Sequence, residues 1–249
     1  MRTIARPVEG TEVRVEPSDS PGIEVNGAPA TLDAVGKADL RVDLADGTRS
    51  FVVEHVLGPL GLRGVTAATV VGVRESWDFA RPEHRFCYAA GLAPENVVGH
   101  PAGLPNPALA EALGEADVVE RDPDPRQTVS EPVSVETDEG RIELKPRDPG
   151  SGVRFDVRFG DATITAEVDP RGDTDDELVE SVTNATTPYL SPSEEEAVTH
   201  SIADLVSDVA VIGGFDDLVV EATLGGAYHA LTVGAARKVH KRDAVERHE

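Results

Sequence analysis

Cysteine is almost missing from this 249-residue chain, Cys87 being the only one. No disulfide can form within the chain, and a cysteine-rich zinc site is excluded. Any metal must therefore be held by histidine and carboxylate. Lysine is scarce as well. Lys37, Lys145, Lys238 and Lys241 stand against nineteen arginines, and 46 acids against 23 basic residues leave a formal net charge of −23. The acids are spread along the chain and not gathered in a tail. Distributed acid with little lysine keeps a protein hydrated and self-repelling in concentrated salt, which points to a halophilic source. The same charge argues against nucleic acid and anionic membrane surfaces as partners. Long apolar runs are lacking: stretches such as Val209 to Ile212 are far too short to span a bilayer. The first ten residues, MRTIARPVEG, carry basic side chains with no apolar stretch behind them. They do not read as a signal peptide, so a cytoplasmic location is expected.

What is present suits two α+β domains of ordinary size. Val13 and Val15 alternate with polar residues, as do Leu40, Val42 and Leu44, and Asp46-Gly47 supplies a hairpin turn before Phe51 to Val53 returns. A short helix then carries Glu54 and His55, with Pro59 predicting a kink or a late start. Val65 to Val73 reads as a buried strand, and Asn106-Pro107 opens a helix through Leu113. The segment Glu120 to Pro132 reads as a linker. After it the order repeats: strands around Ile142, Phe155 and Thr163 to Val168, a helix opened by a Thr174/Glu177 capping box, and a second helix capped by the stretch Ser191-Pro192-Ser193-Glu194. A strand from Phe215 to Thr223 and a helix from Ala227 to Val239 close the chain, ahead of a charged tail expected to fray. The shared order predicts two similar domains, 1–124 and 125–249, each an antiparallel sheet with two helices on one face.

The helix from Pro192 to Val211 has two stripes. Val198, Ile202, Leu205, Val206 and Val209 form an apolar one, and His200, Asp204 and Asp208 a polar one. His200 and Asp204 are four apart, so both can ligate one ion, and imidazole with carboxylate suits zinc. Two ligands do not make a tight site. His55, on the matching element of the first half, is the best third. Taken alone, this spacing more often marks a solvated helix face. His84 and Cys87 have metal-like spacing but no partners, and the aromatic segment Trp77 to Tyr88 around them reads as a packed loop. His100 reads as a surface residue, and His240 and His248 belong to the tail.

Three stretches carry a resemblance. VVEHVLGPLGLRG, from Val52, resembles the Val-Glu-His-Leu-Leu segment of the UDP-3-O-acyl-N-acetylglucosamine deacetylases. THSIADLVSDV, from Thr199, is similar to their His-Lys-x-x-Asp-x-x-Gly-Asp-Leu helix, and YHALTVGAARKV, from Tyr228, to their Gly-His-Ala-Leu-Asn helix. The order is kept, and most of the chain finds a counterpart. The resemblance implies zinc ligands at His55, His200 and Asp204. It implies Glu54 as general base, His229 as second catalytic group, Asp208 as the partner orienting His229, and an oxyanion threonine at Thr186 or Thr187. The activity implied is deacetylation of an N-acylated amino sugar or nucleotide sugar by a zinc-activated water. The alternative is a zinc-containing sugar-binding protein of the same fold that does not turn over.

The chain also departs from the pattern. The family's Gly-Leu-His-Ser-Gly turn is absent, and the lysine after the helix histidine, which meets nucleotide phosphates, is Ser201. Only a dozen residues separate Thr187 from His200, where the family has a long insertion that forms the fatty-acyl passage. The expectation is a hydrolase centre without the usual precursor of outer-membrane lipid as substrate.

Overall fold

Each half of the chain begins with short alternating strands and continues into helix, and that order builds the same sheet twice. The computed structural model describes residues 1–10, 13–38, 42–46, 49–73, 107–121, 126–169, 174–185, 193–225 and 228–248. At the start, β1 (Arg2–Ile4) precedes β2 (Val8–Glu9), β3 (Arg14–Pro17), β4 (Gly22–Val25) and β5 (Ala28–Pro29). Then come β6 (Val35–Ala38), β7 (Val42–Asp46), β8 (Arg49–Val52), helix α1 (Glu54–Leu62), β9 (Ala67–Val71), helix α2 (Pro107–Gly114) and β10 (Val118–Glu120). The second half holds β11 (Arg126–Val129), β12 (Val133–Thr137), β13 (Gly140–Pro146), β14 (Val153–Phe159), β15 (Ala162–Val168), helices α3 (Asp176–Asn184) and α4 (Glu194–Leu205), β16 (Leu218–Leu224), helix α5 (His229–Lys241) and β17 (Val245–His248). The fold is α+β.

The main sheets run β2-β3-β9-β4-β5 and β12-β13-β16-β14-β15. In both, the last strand of the sheet inserts between two earlier pairs. It lies antiparallel to one neighbour (β3 or β13) and parallel to the other (β4 or β14). The sheets are thus mixed, where wholly antiparallel ones were expected. The reason is the connection: a helix and not a tight turn leads to the last strand, and such crossovers deliver parallel neighbours. Among the described residues, the second half has three α-helices and the first half two. The hairpin read from Asp46-Gly47 is β7–β8, closed by the Asp46–Arg49 pair, although Gly47 itself lies outside the described residues.

Two segments read as irregular are strands. Part of the expected linker is β11, and part of the expected fraying tail is β17; they pair antiparallel with each other. Each is stabilised by a partner more than a hundred residues away, which charge and proline content could not disclose. Val129 is fully buried, and Thr128 Oγ1 donates to the Asp217 carbonyl at 2.7 Å. Helix α3 is capped by Asp175, whose carboxylate accepts from the amides of Glu177 and Leu178, and not by Thr174. A carboxylate at that place also suits the helix dipole better than a hydroxyl. Ser193 caps α4 as expected, accepting from Glu196 N at 3.2 Å.

Apolar side chains gather in two clusters. One draws on the first half, including Val15, Leu44, Leu57 and Val70; the other on the second, including Phe155, Ile202, Val220 and Leu231. Leu62 joins the second cluster, while Ile212 and Val233 join the first, so the halves interlock through their helices. Among the described residues, no helix is long and apolar enough to cross a membrane.

Helix α1 lies at this junction. All nine of its residues are buried, so it has no polar face. It begins at Glu54 and carries Pro59 inside, so the proline does not delay its start. Its glycines let it approach α4 and the turn that follows: a Cβ on Gly58 would stand 2.8 Å from the Ala203 carbonyl oxygen, and one on Gly61 2.5 Å from Val206 Cγ1. Ala203 lies between His200 and Asp204, so this contact sets how far those residues stand from His55. Alanine in place of glycine normally stabilises a helix by about 1 kcal/mol. Here a backbone oxygen blocks it, and overpacking costs about 1–3 kcal/mol. Gly58→Ala is therefore expected to destabilise, by up to about 2 kcal/mol in urea denaturation. A more stable variant would contradict the close approach.

Candidate metal centre and its surroundings

Three potential ligands converge where the halves meet. His55 sits in the first turn of α1; His200 and Asp204 lie one turn apart on α4. One ligand atom from each falls within 4.8 Å of the others, and all three side chains are buried. The separation of His200 Nε2 from Asp204 Oδ1 is 3.5 Å, which suits two atoms each about 2 Å from one ion. The rings of His55 and His200 have centroids 4.9 Å apart.

The hydrogen bonds indicate what belongs between them. His200 Nδ1 donates to the Ala185 carbonyl at 2.8 Å, which directs the Nε2 lone pair inward. His200 Nε2 and Asp204 Oδ1 are both buried and neither has a hydrogen-bond partner. Leaving these two buried atoms unsatisfied is costly, and either a proton on Nε2 or a cation between them relieves it. The donor set of two imidazoles and a carboxylate fits zinc chemistry, so these residues can hold a metal ion.

Protonation agrees with that role. Burial, reinforced by His200, pushes His55 down to about 3, leaving a neutral imidazole ready to ligate. Burial opposes ionisation of Asp204, but His200 and His229 outweigh it and hold the carboxyl well below the usual range. Burial likewise opposes charge on His200, and Asp204 more than offsets it, so that imidazole is raised. Without a metal, a proton on His200 is the substitute counter-charge.

Glu54, immediately before His55, is 3% exposed. Its Oε2 accepts from the backbone amides of Val42 (3.3 Å) and Val53 (3.2 Å), so β7 and the helix start fix the carboxylate. Burial pushes it up to about 8, with Asp204 and Asp208 adding and His229 opposing. Beyond Asp204 the α4 helix widens into a π-helical stretch, Val206–Ile212, where the Gly213 amide bonds the Asp208 carbonyl. Such widened turns often occur at functional sites. Asp208 Oδ2 lies 2.8 Å from His229 Nδ1 and also accepts from Thr232 Oγ1 at 2.5 Å. His229 Nε2 is then free of Asp208 and lies 3.7 Å from Asp204 Oδ2. Burial disfavours a charged His229, but Asp208 and then Asp204 overcome it and raise the imidazole to about 10.

Six of the expected site residues therefore stand in one buried cluster: Glu54, His55, His200, Asp204, Asp208 and His229. Thr186 and Thr187 lie outside the described residues, as do His84, Cys87, His100 and the whole Trp77 to Tyr88 segment. His240 belongs to α5 and not to a frayed tail: its Nε2 lies 3.2 Å from the Gly213 carbonyl and its ring stacks on Phe215. His248 lies on β17. A separate cavity of about 910 Å³ opens near Gly61, Phe215 and Arg237 and includes none of the six.

No family model matches this chain, and none of the curated proteins matches it. The resemblance rests on the three motifs, and what the structure adds is their convergence.

Sequence reasoning missed Tyr228, Thr232 and the Ala185 carbonyl. Each supports a site residue through a hydrogen bond across the fold. Tyr228 and Thr232 are close to His229 in sequence, which was the available signal, but neither hydroxyl has a spacing that names its partner.

Proposed function

We propose that the chain is a zinc-dependent amidohydrolase resembling the UDP-3-O-acyl-N-acetylglucosamine deacetylases, removing an N-acyl group from an amino sugar or nucleotide sugar. The observation that carries this reading is the meeting of all three motifs in one buried cluster with unpartnered inward lone pairs. His55, His200 and Asp204 would hold the zinc, which when bound supplies a Lewis acid and lowers the pKa of water at its open position.

The remaining work falls to the protein's own groups. Glu54 takes the proton from water; two backbone amides orient it, and burial brings its pKa, about 8, within reach of neutral pH. Asp208 fixes the His229 tautomer, with the Nδ1 proton directed to the carboxylate. His229 keeps its other proton at Nε2, where it supports the developing oxyanion and then passes to the leaving amine.

The substrate reading is a small acyl group. The dozen residues between Thr187 and His200 are too few to build the acyl passage that the family's long insertion forms. Ser201, in place of the phosphate-binding lysine, is fully buried and donates to the Val198 carbonyl at 2.7 Å. A nucleotide phosphate gains nothing from it. A fatty chain contributes about 0.8 kcal/mol per buried methylene where a greasy channel receives it. Without that channel, kcat/KM for amine release should be nearly flat across O-acyl chain lengths on N-acetylglucosamine, with or without the nucleotide, and should vanish on chelation. A steep rise with chain length would restore the lipid-precursor substrate; no amine release from any member would remove the hydrolase reading.

A further inference from the structure

We infer that Tyr228 is a positioning residue that divides the two oxygens of Asp204, reserving Oδ1 for the metal. The inference rests on the metal-centre reading above. Tyr228 is 1% exposed, and its hydroxyl donates to Asp204 Oδ2 at 2.5 Å. The ring leans against His229 with centroids 5.1 Å apart, and the residue is the N-cap of α5, directly before His229. The phenol is thus held by packing on one side and by the helix start on the other. Asp204 Oδ1, by contrast, has no hydrogen-bond partner and faces the unpartnered His200 Nε2.

Two consequences follow. A carboxylate with both oxygens available can take a metal ion through both. With Oδ2 engaged by a buried hydroxyl, Asp204 offers one oxygen, and a coordination position stays open for water and substrate. Oδ2 is also the oxygen 3.7 Å from His229 Nε2. The tyrosine hydroxyl therefore competes with His229 Nε2 for that oxygen. The motif that this stretch resembles has glycine before its histidine, so the contact is a feature of this chain.

The test is Tyr228→Phe, which removes one oxygen and keeps the ring, with Co²⁺ as the probe in both proteins. Wild type is expected to show the intense visible bands of four-coordinate Co²⁺. In Tyr228→Phe those bands should weaken and move to shorter wavelength as Oδ2 joins the ion. Identical spectra in the two proteins overturn the inference and leave the metal centre standing. A wild type that takes up no Co²⁺ overturns both. If Tyr228→Phe does not fold, X-ray absorption of zinc-loaded wild type decides: a four-coordinate shell with a single Asp oxygen supports the inference, and a second, longer carboxylate oxygen overturns it.

Discussion

Glu54→Gln is expected to keep its metal and lose about 10²–10⁴-fold in kcat for amide hydrolysis, the usual contribution of a positioned base. The substitution is nearly isosteric. A glutamine oxygen can still accept from the amides of Val42 and Val53, so the start of α1 and its neighbour His55 are preserved. What is lost is the ability to take a proton. In the native protein burial pushes the Glu54 carboxyl up to about 8, within reach of neutral pH. His229→Ala should cause a comparable loss by removing the proton donor, again with metal retained. Asp208→Asn separates donor from orientation. Burial works against a charged His229, and Asp208 is the main group that overcomes it. Without the carboxylate the imidazole pKa falls, so the acid form is lost at lower pH and the alkaline limb of the kcat profile moves to lower pH. Wild-type rates in Glu54→Gln, or an unmoved alkaline limb in Asp208→Asn, would contradict these roles.

Much of this site could be read from the chain because its residues sit on regular elements. His200, Asp204 and Asp208 repeat every four residues, and the helix they predict runs from Glu194 through its π extension to Ile212. Strand alternation around Ile142, Phe155 and Val157 marked the second sheet for the same reason: period-two burial is a local property. The pairing of β11 with β17 was not legible, since its stabilisation is wholly long-range. Nor was the central parallel pair in each sheet, which depends on where a crossover lands. The meeting of His55 with α4 turned on Gly58 and Gly61, whose role is close approach and not backbone freedom. In sequence this stretch signals only a kink or a late helix start at Pro59. The hydrogen bonds that Tyr228 and Thr232 donate and the one that the Ala185 carbonyl accepts stayed hidden, because no short spacing connects the partners.

Loss of a single ligand is the second large effect expected, and it bears on the claim from which the rest follows. His200 contributes an inward lone pair fixed by the Ala185 carbonyl, and Asp204 faces it at 3.5 Å. Removing that imidazole leaves two ligands on separate helices, and two ligands do not retain zinc against dialysis. Structural zinc sites draw about 10–16 kcal/mol from their full ligand sets. The decisive measurement is metal content of purified wild type and His200→Ala after equal dialysis, with circular dichroism to verify that both are folded. About one zinc per chain in wild type and almost none in folded His200→Ala is the result predicted. Equal stoichiometry in the two proteins, or no tightly held metal in either, would contradict the account.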